Sequence, residues 1–283
     1  MANTNLPEFY SPPHKIKIVI FGQYKSGTTA LCYKIYNSLP AGARLLNEPV
    51  NYNPEPFKSH PAELAKVILG YVNGRELANY KSFMGFDKKI YIVRDPRDWV
   101  VSGLLFLIQQ SPSIYENEDN LEFVLILFKR KEENPESISF VSLFEQVLKL
   151  IPGESLVKVA DWMKSQQKWI YGFESRLGEY YRIKYEDFVD GNFQGLEEYL
   201  GFRLTGEAEV GEENSHVPRT KGYGDWRNWF LPEDVEFFKP LFAEYMERYG
   251  YADDWRLGDK RTISSEHCTE YVKRTVSRRK GYG

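Results

Sequence analysis

Residues 15–31 read KIKIVIFGQYKSGTTAL, a run of β-branched residues that gives way to glycine, serine and threonine. The first part, 15–21, is short, apolar and closed by Gly22, as in a buried parallel strand entering a tight turn. From Thr28 or Thr29 to about Leu39 the apolar spacing is helical, and Pro40 stops it. Strand, turn and helix in immediate succession open an α/β unit. Gly22 and Gly27 have the G-x-x-x-x-G spacing of a phosphate loop. Thr28, however, stands where a nucleoside triphosphatase carries lysine, and Lys25 lies inside the loop instead. The usual lysine reaches the β- and γ-phosphates, so its displacement argues against a Mg-bound triphosphate. Backbone N–H groups at the helix start, with the Ser26, Thr28 and Thr29 hydroxyls, still make a nest for a phosphate.

Outward from this loop, residues 43–47 (ARLLN) form a short strand candidate closed by Glu48-Pro49, and 61–71 read as a helix. Residues 88–93 (KKIYIV) are the clearest strand, followed by RDPRD at 94–98 and a buried-type helix over 99–108. Arg94 comes first after this strand, where a Walker B strand ends in a metal-binding aspartate; an arginine there favours a second anionic group. Ser102, eight residues on, addresses the same phosphate if the chain doubles back. Residues 109–160 are charged around two apolar helical pieces and read as an insertion or lid. A helix over 161–175, a strand over 180–185 (YYRIKY), a helix near 193–200, an acidic loop at 207–213 and a helix near 232–249 follow. The pattern predicts one α/β domain over 1–283, with a mostly parallel central sheet flanked by helices and ligands beyond the carboxyl ends of the strands. The proline-bearing start, 1–14, reads as an irregular lead-in. The basic tail within 260–283 (Lys273, Arg274, Arg278, Arg279, Lys280) reads as a solvated arm.

The 283 residues carry 37 Lys and Arg against 40 Asp and Glu, a net charge of −3. No global positive field is available to hold nucleic acid, so any anion site must be local. Two cysteines and four scattered histidines offer neither a disulfide framework nor zinc-ligand spacing. Apolar runs fall well short of the roughly 18 residues of a membrane span, and the opening residues lack the order of a secretory signal. A cytoplasmic protein is expected, with neither a metal nor a membrane among its partners and either a monomer or a homodimer open.

YKSGTTAL at 24–31 resembles the P-K-S-G-T-T-W-L loop of the sulfotransferases that use 3′-phosphoadenosine 5′-phosphosulfate (PAPS). RDPRDWVVS at 94–102 is similar to their 3′-phosphate motif, IKYEDF at 183–188 to their adenine-contacting segment, and RTKGYGDWRNWF at 219–230 to their R-K-G-x-x-G-D-W-K-N-x-F motif. The resemblance runs in family order from residue 15 to 230. It implies a P-loop-like sulfotransferase fold with PAPS as co-substrate, and transfer of its sulfuryl group to a hydroxyl or amine of a small-molecule or carbohydrate acceptor. Lys25 would neutralise the leaving 5′-phosphate, with Ser26, Gly27, Thr28 and Thr29 around it. Arg94, Ser102, Arg219, Thr220, Lys221 and Gly222 would hold the 3′-phosphate, and Tyr185 would lie beside adenine. Two departures stand out: Ala30 replaces the tryptophan that stacks on the base, and Thr220-Lys221 fall where the family has lysine and glycine.

For the base that takes the acceptor's proton, two residues compete. Glu48, in LLNEP, resembles the strand-end glutamate of several carbohydrate and bacterial sulfotransferases. His60, in FKSHP, resembles the K-T-H-L-P segment of the cytosolic branch, which ends a strand. A small-molecule or nucleotide kinase on the same doubly wound sheet is the rival enzyme; a non-catalytic holder of an adenosine bisphosphate is the third reading.

Overall fold

The computed structural model describes residues 15–55, 60–72, 75–209 and 219–281. In chain order the elements are β1 (Ile16–Gln23), α1 (Thr28–Tyr36), β2 (Arg44–Asn47), β3 (Ala62–Leu69), β4 (Tyr71–Val72), β5 (Arg75–Glu76) and β6 (Lys88–Val93). Then come α2 (Pro96–Gln110), α3 (Pro112–Tyr115), α4 (Glu118–Glu133), α5 (Phe140–Leu148), α6 (Leu156–Glu174), β7 (Tyr181–Lys184), α7 (Tyr185–Val189) and α8 (Gln194–Leu200). The last are α9 (Trp226–Trp229), α10 (Pro232–Tyr249) and α11 (Thr269–Lys280). The chain divides into two compact units, one of residues 1–93 with 170–210 and one of 94–169 with 211–283.

The first unit is α/β. Its five-stranded sheet has the order β2-β3-β1-β6-β7, and each neighbouring pair is parallel. Alternation along β1 explains its burial. Ile16, Ile18 and Ile20 join Leu31 and Ile35 of α1 in one apolar cluster, together with Leu196 and Leu200 of α8. On the other face Phe21 and Tyr91 meet the ring of Phe173 edge-on, at centroid distances of 5.2 and 6.0 Å. With both faces covered, β1 is apolar almost throughout, as parallel strands are.

The second unit is helical. Ile114, Val124, Phe128, Phe140 and Leu143 share an apolar cluster with Val101 and Leu104 of α2, Phe238 and Phe242 of α10, and Tyr271 and Val272 of α11. Two charged side chains are built into this core. Asp234 accepts from the backbone N–H groups of Phe140 and Val141, at 2.8 and 2.7 Å, and so caps α5 from α10. Lys131 is fully buried and donates to the carbonyls of Pro135 and Ile138 at 2.5 and 2.7 Å. Burial pushes its amine down to about 8.

Two expectations are corrected. Residues 61–71 read as a helix because Ala, Glu, Leu and Lys dominate ELAK, but Ala62–Leu69 is the strand β3, hydrogen-bonded between β1 and β2. Its central place in the sheet overrides helix propensity. The basic tail is not a solvated arm: residues 269–280 form α11, which buries Tyr271, Val272, Thr275 and Val276 and leaves Lys273, Arg274 and Arg279 outside. The lead-in 1–14 and most of the acidic loop fall outside the described residues. No helix among the described residues is long and apolar enough to cross a membrane.

Candidate functional site

Because β1 and its neighbours run in parallel, the loop after β1 and the turn after β2 open at the same edge of the sheet. The loop turns tightly: Ser26 is buried and bonds back to the Gln23 carbonyl through both its N–H (3.3 Å) and its Oγ (2.7 Å). Gly27 precedes α1 with φ 94°, and a Cβ there would lie 2.3 Å from the ring of Tyr185. The Tyr185 ring thus lies directly on the loop. At Gly22 a Cβ would come within 2.7 Å of Thr28, Ser26 and Ile92. Both glycines are there because neither position has room for a side chain.

Lys66, from the middle of β3, is 1% exposed, and its ammonium bridges two parts of this edge. It donates to Thr29 Oγ1 at 3.1 Å and pairs with Glu48 Oε1 at 3.0 Å. The Glu48 N–H in turn donates to the Lys66 carbonyl at 2.9 Å. Glu48 is half-exposed, and its charge, after burial, helps raise the Tyr24 phenol above its ordinary value. A carboxylate therefore stands beside the loop, fixed by a buried cation. Lys25 and Glu48 both have left-handed backbones, with φ 64° and 53°. Such residues carry about 1 kcal/mol or more of local strain and concentrate at functional sites.

His60 is not with them. It precedes β3 at Ala62, which pairs with Ile16, whereas the loop leaves β1 beyond Gln23, which pairs with Leu69. A strand rises about 3.3 Å per residue, so the length of β3 separates His60 from the loop by roughly 23 Å. Its Nδ1 lies 3.2 Å from the Gly42 carbonyl and its Nε2 3.6 Å from Glu55 Oε2. His60 and Pro61 come before a strand here, and residues 57–59 of FKSHP lie outside the described residues.

In the helical unit, the residues after β6 and the segment 219–226 are joined by one buried carboxylate. Asp95 caps α2 through the Arg97 N–H at 2.9 Å and pairs with the Arg97 guanidinium at 2.6 Å. That guanidinium lies 4.4 Å from the ring of Trp226. Asp98, wholly buried, accepts from the N–H groups of Gly224 at 2.5 Å and Trp226 at 3.1 Å. Burial raises its carboxyl above the usual range, and the charge of nearby Arg94 is the largest opposing effect. Arg94 and Ser102 are buried as well. Arg219 is buried too, with Nη1 on Asp225 Oδ2 at 2.7 Å; its Nε and Nη2 have no hydrogen-bond partner among the described residues. Thr220 Oγ1 accepts from the Gly222 N–H at 3.2 Å, and Lys221 between them is left-handed at φ 52°. A buried arginine with two unmet donors requires an acceptor.

No family model matches this chain, and no curated protein does so. Among solved structures it is similar to mouse sulfotransferase SULT7A1 complexed with PAP, at 20% identity over 83% of this chain and 85% of that one, with a TM-score of 0.49. It is similar also to retinol dehydratase in complex with androsterone and inactive cofactor PAP (12% identity, 84% and 83% covered, TM-score 0.43). The same enzyme with retinol and PAP gives 14% identity, the same coverages of 84% and 83%, and a TM-score of 0.45.

The loop residues Lys25 to Thr29, Tyr185 and Glu48 thus lie together in the sheet unit; Arg94, Ser102 and residues 219–222 belong to the helical unit. Three residues escape the sequence reading: Lys66, Asp98 and Tyr271. Lys66 leaves a signal, a lone cation in AELAKVIL, which becomes visible once that segment is read as a strand. No cluster of His, Cys, Asp or Glu able to hold a metal occurs among the described residues.

Proposed function

We propose that this chain is a PAPS-dependent sulfotransferase that acts on a hydroxyl or amine of a small-molecule or carbohydrate acceptor. The observation that carries the reading is the pair of anion-binding constellations, each made of residues that the motifs single out. One is a glycine-walled loop with its lysine inside; the other is the arginine cluster tied to residues 219–226 through Asp98. Each of them suits one phosphate, and PAPS carries phosphate at two positions. A triphosphate fits less well, because Thr28 occupies the place of the Walker lysine.

In this reading Glu48 takes the proton of the attacking acceptor as its oxygen or nitrogen bonds to sulfur. The bond from sulfur to the bridging oxygen of the 5′-phosphate breaks, and Lys25 stabilises the electron pair left on that oxygen. Lys66 holds the Glu48 carboxylate in register, and the left-handed backbones of Lys25 and Glu48 aim their side chains. Arg94, Ser102, Arg219 and residues 220–222 hold the 3′-phosphate, while Tyr185 flanks the loop beside the base. The work is alignment and charge stabilisation, as in phosphoryl transfer.

A ligand that binds only the folded state raises its melting temperature. Adenosine 3′,5′-bisphosphate is therefore expected to raise Tm well above the shift given by ATP with Mg²⁺ at equal concentration. A larger shift with ATP and Mg²⁺ favours the kinase and overturns the proposal.

A further inference from the structure

The two unmet nitrogens of Arg219 sit where the segment 219–226 meets the beginning of the last helix. Arg219 Nη1 lies 3.4 Å from the carbonyl of His267, which closes the short 3-10 turn Ser265–His267 just ahead of α11. Four residues after His267 comes Tyr271, then Arg274 and Arg278; offsets of three and four put these side chains on one helical face. Tyr271 is fully buried in the core of its unit, and the Arg274 guanidinium lies 5.4 Å from its ring centroid. Burial pushes the Tyr271 phenol up to about 12, and the charges of Arg219, Arg274 and Arg94 pull against it. Three guanidiniums from three separate segments therefore act on one hydroxyl. Of the carboxylates around these segments, Asp98 accepts from backbone N–H groups, Asp225 pairs with Arg219, Asp95 with Arg97, and Glu132 accepts from Thr269.

We propose that α11 forms part of the anion site, with Tyr271 and Arg274 binding the same phosphate as Arg94 and Arg219. The inference rests on the reading of that site as the one for the 3′-phosphate, and it adds a third chain segment to the two that the motifs place there. It also gives the basic tail a purpose that its charge run alone did not reveal.

Calorimetric titrations with adenosine 3′,5′-bisphosphate and adenosine 5′-monophosphate test it on Arg274→Gln, Tyr271→Phe and the control Lys273→Gln. Lys273 is exposed and pairs with Glu270. Arg274→Gln is expected to weaken the bisphosphate about tenfold and Tyr271→Phe about threefold. Both should leave the monophosphate within about twofold, and the control should match the wild type. Unchanged bisphosphate affinity in both variants, or an equal loss for the two nucleotides, overturns the inference. Inorganic phosphate, read by thermal shift, separates it from the proposed function. If the wild type ignores the bisphosphate, sulfotransfer fails as a reading; a phosphate shift that Arg274→Gln abolishes still upholds the place of α11, and one that it leaves intact overturns it.

Discussion

Glu48 combines two properties that rarely meet in a surface carboxylate: a left-handed backbone at φ 53° and a buried lysine 3.0 Å away. The left-handed backbone does not serve the stability of a turn, which glycine or asparagine would make with less strain. Glu48→Gln keeps the shape and removes the base, so turnover should fall by 10² or more with affinity for adenosine 3′,5′-bisphosphate unchanged. His60→Ala should leave both intact. Lys25→Ala should cost on the order of 3 kcal/mol, about a hundredfold in turnover. Near-normal turnover in Glu48→Gln removes it as the base. Lys131 allows a separate test on stability. Its folded amine titrates near 8 against an ordinary 10.5, so between those values the unfolded chain holds a proton that the folded chain has released. Stability should therefore rise with pH across that window and be lost as pH falls towards 8. Urea midpoints at pH 8 and pH 10 should show the slope in the wild type and its absence in Lys131→Met.

At the scale of elements, the loop and the helix after it depend on close approach of Gly27 to the Tyr185 ring. Gly27→Ala adds a methyl at a φ of 94° with ring carbon 2.3 Å away. It should lower Tm and abolish nucleotide-induced stabilisation, whereas Gly178→Ala, also left-handed but in open space, should lower Tm alone; loss of the nucleotide response in both would show that the clash is irrelevant. The loop was legible in sequence because its shape is written in local residues: glycines where no side chain fits, hydroxyls at a helix start, a lysine out of the Walker position. β1, β6, α2 and α10 were legible for a similar reason, their apolar periodicity matching their final environment. β3 was not, since AELAKVIL has helix-forming composition and becomes a strand only through β1 and β2 on either side. Misreading β3 hid Lys66 and kept His60 in contention. Asp98 was illegible because its backbone partners lie more than a hundred residues away along the chain, and Tyr271 because it sits within a tail that reads as a charge run.

For the molecule as a whole, the apolar cluster of the helical unit draws on residues from Val100 to Val276. Ending the chain after Cys268 would withdraw Tyr271, Val272 and Val276 from it, a loss on the order of 5 kcal/mol at typical burial values. That is comparable with the entire stability of an average domain. Such a truncation should give a shallow, non-cooperative melt by circular dichroism, with expression shifted to the insoluble fraction; a sharp melt near the full-length Tm would show that α11 is dispensable for folding. The order of the units along the chain has a further result during synthesis. The β-sheet half is complete in sequence at residue 210, but the other half needs residues 211 onward to meet partners made more than a hundred residues earlier. At translation speeds of about 5–20 residues per second, helices α2 to α5 wait on the ribosome for several seconds with their greasy faces uncovered, a window in which chaperones can engage them.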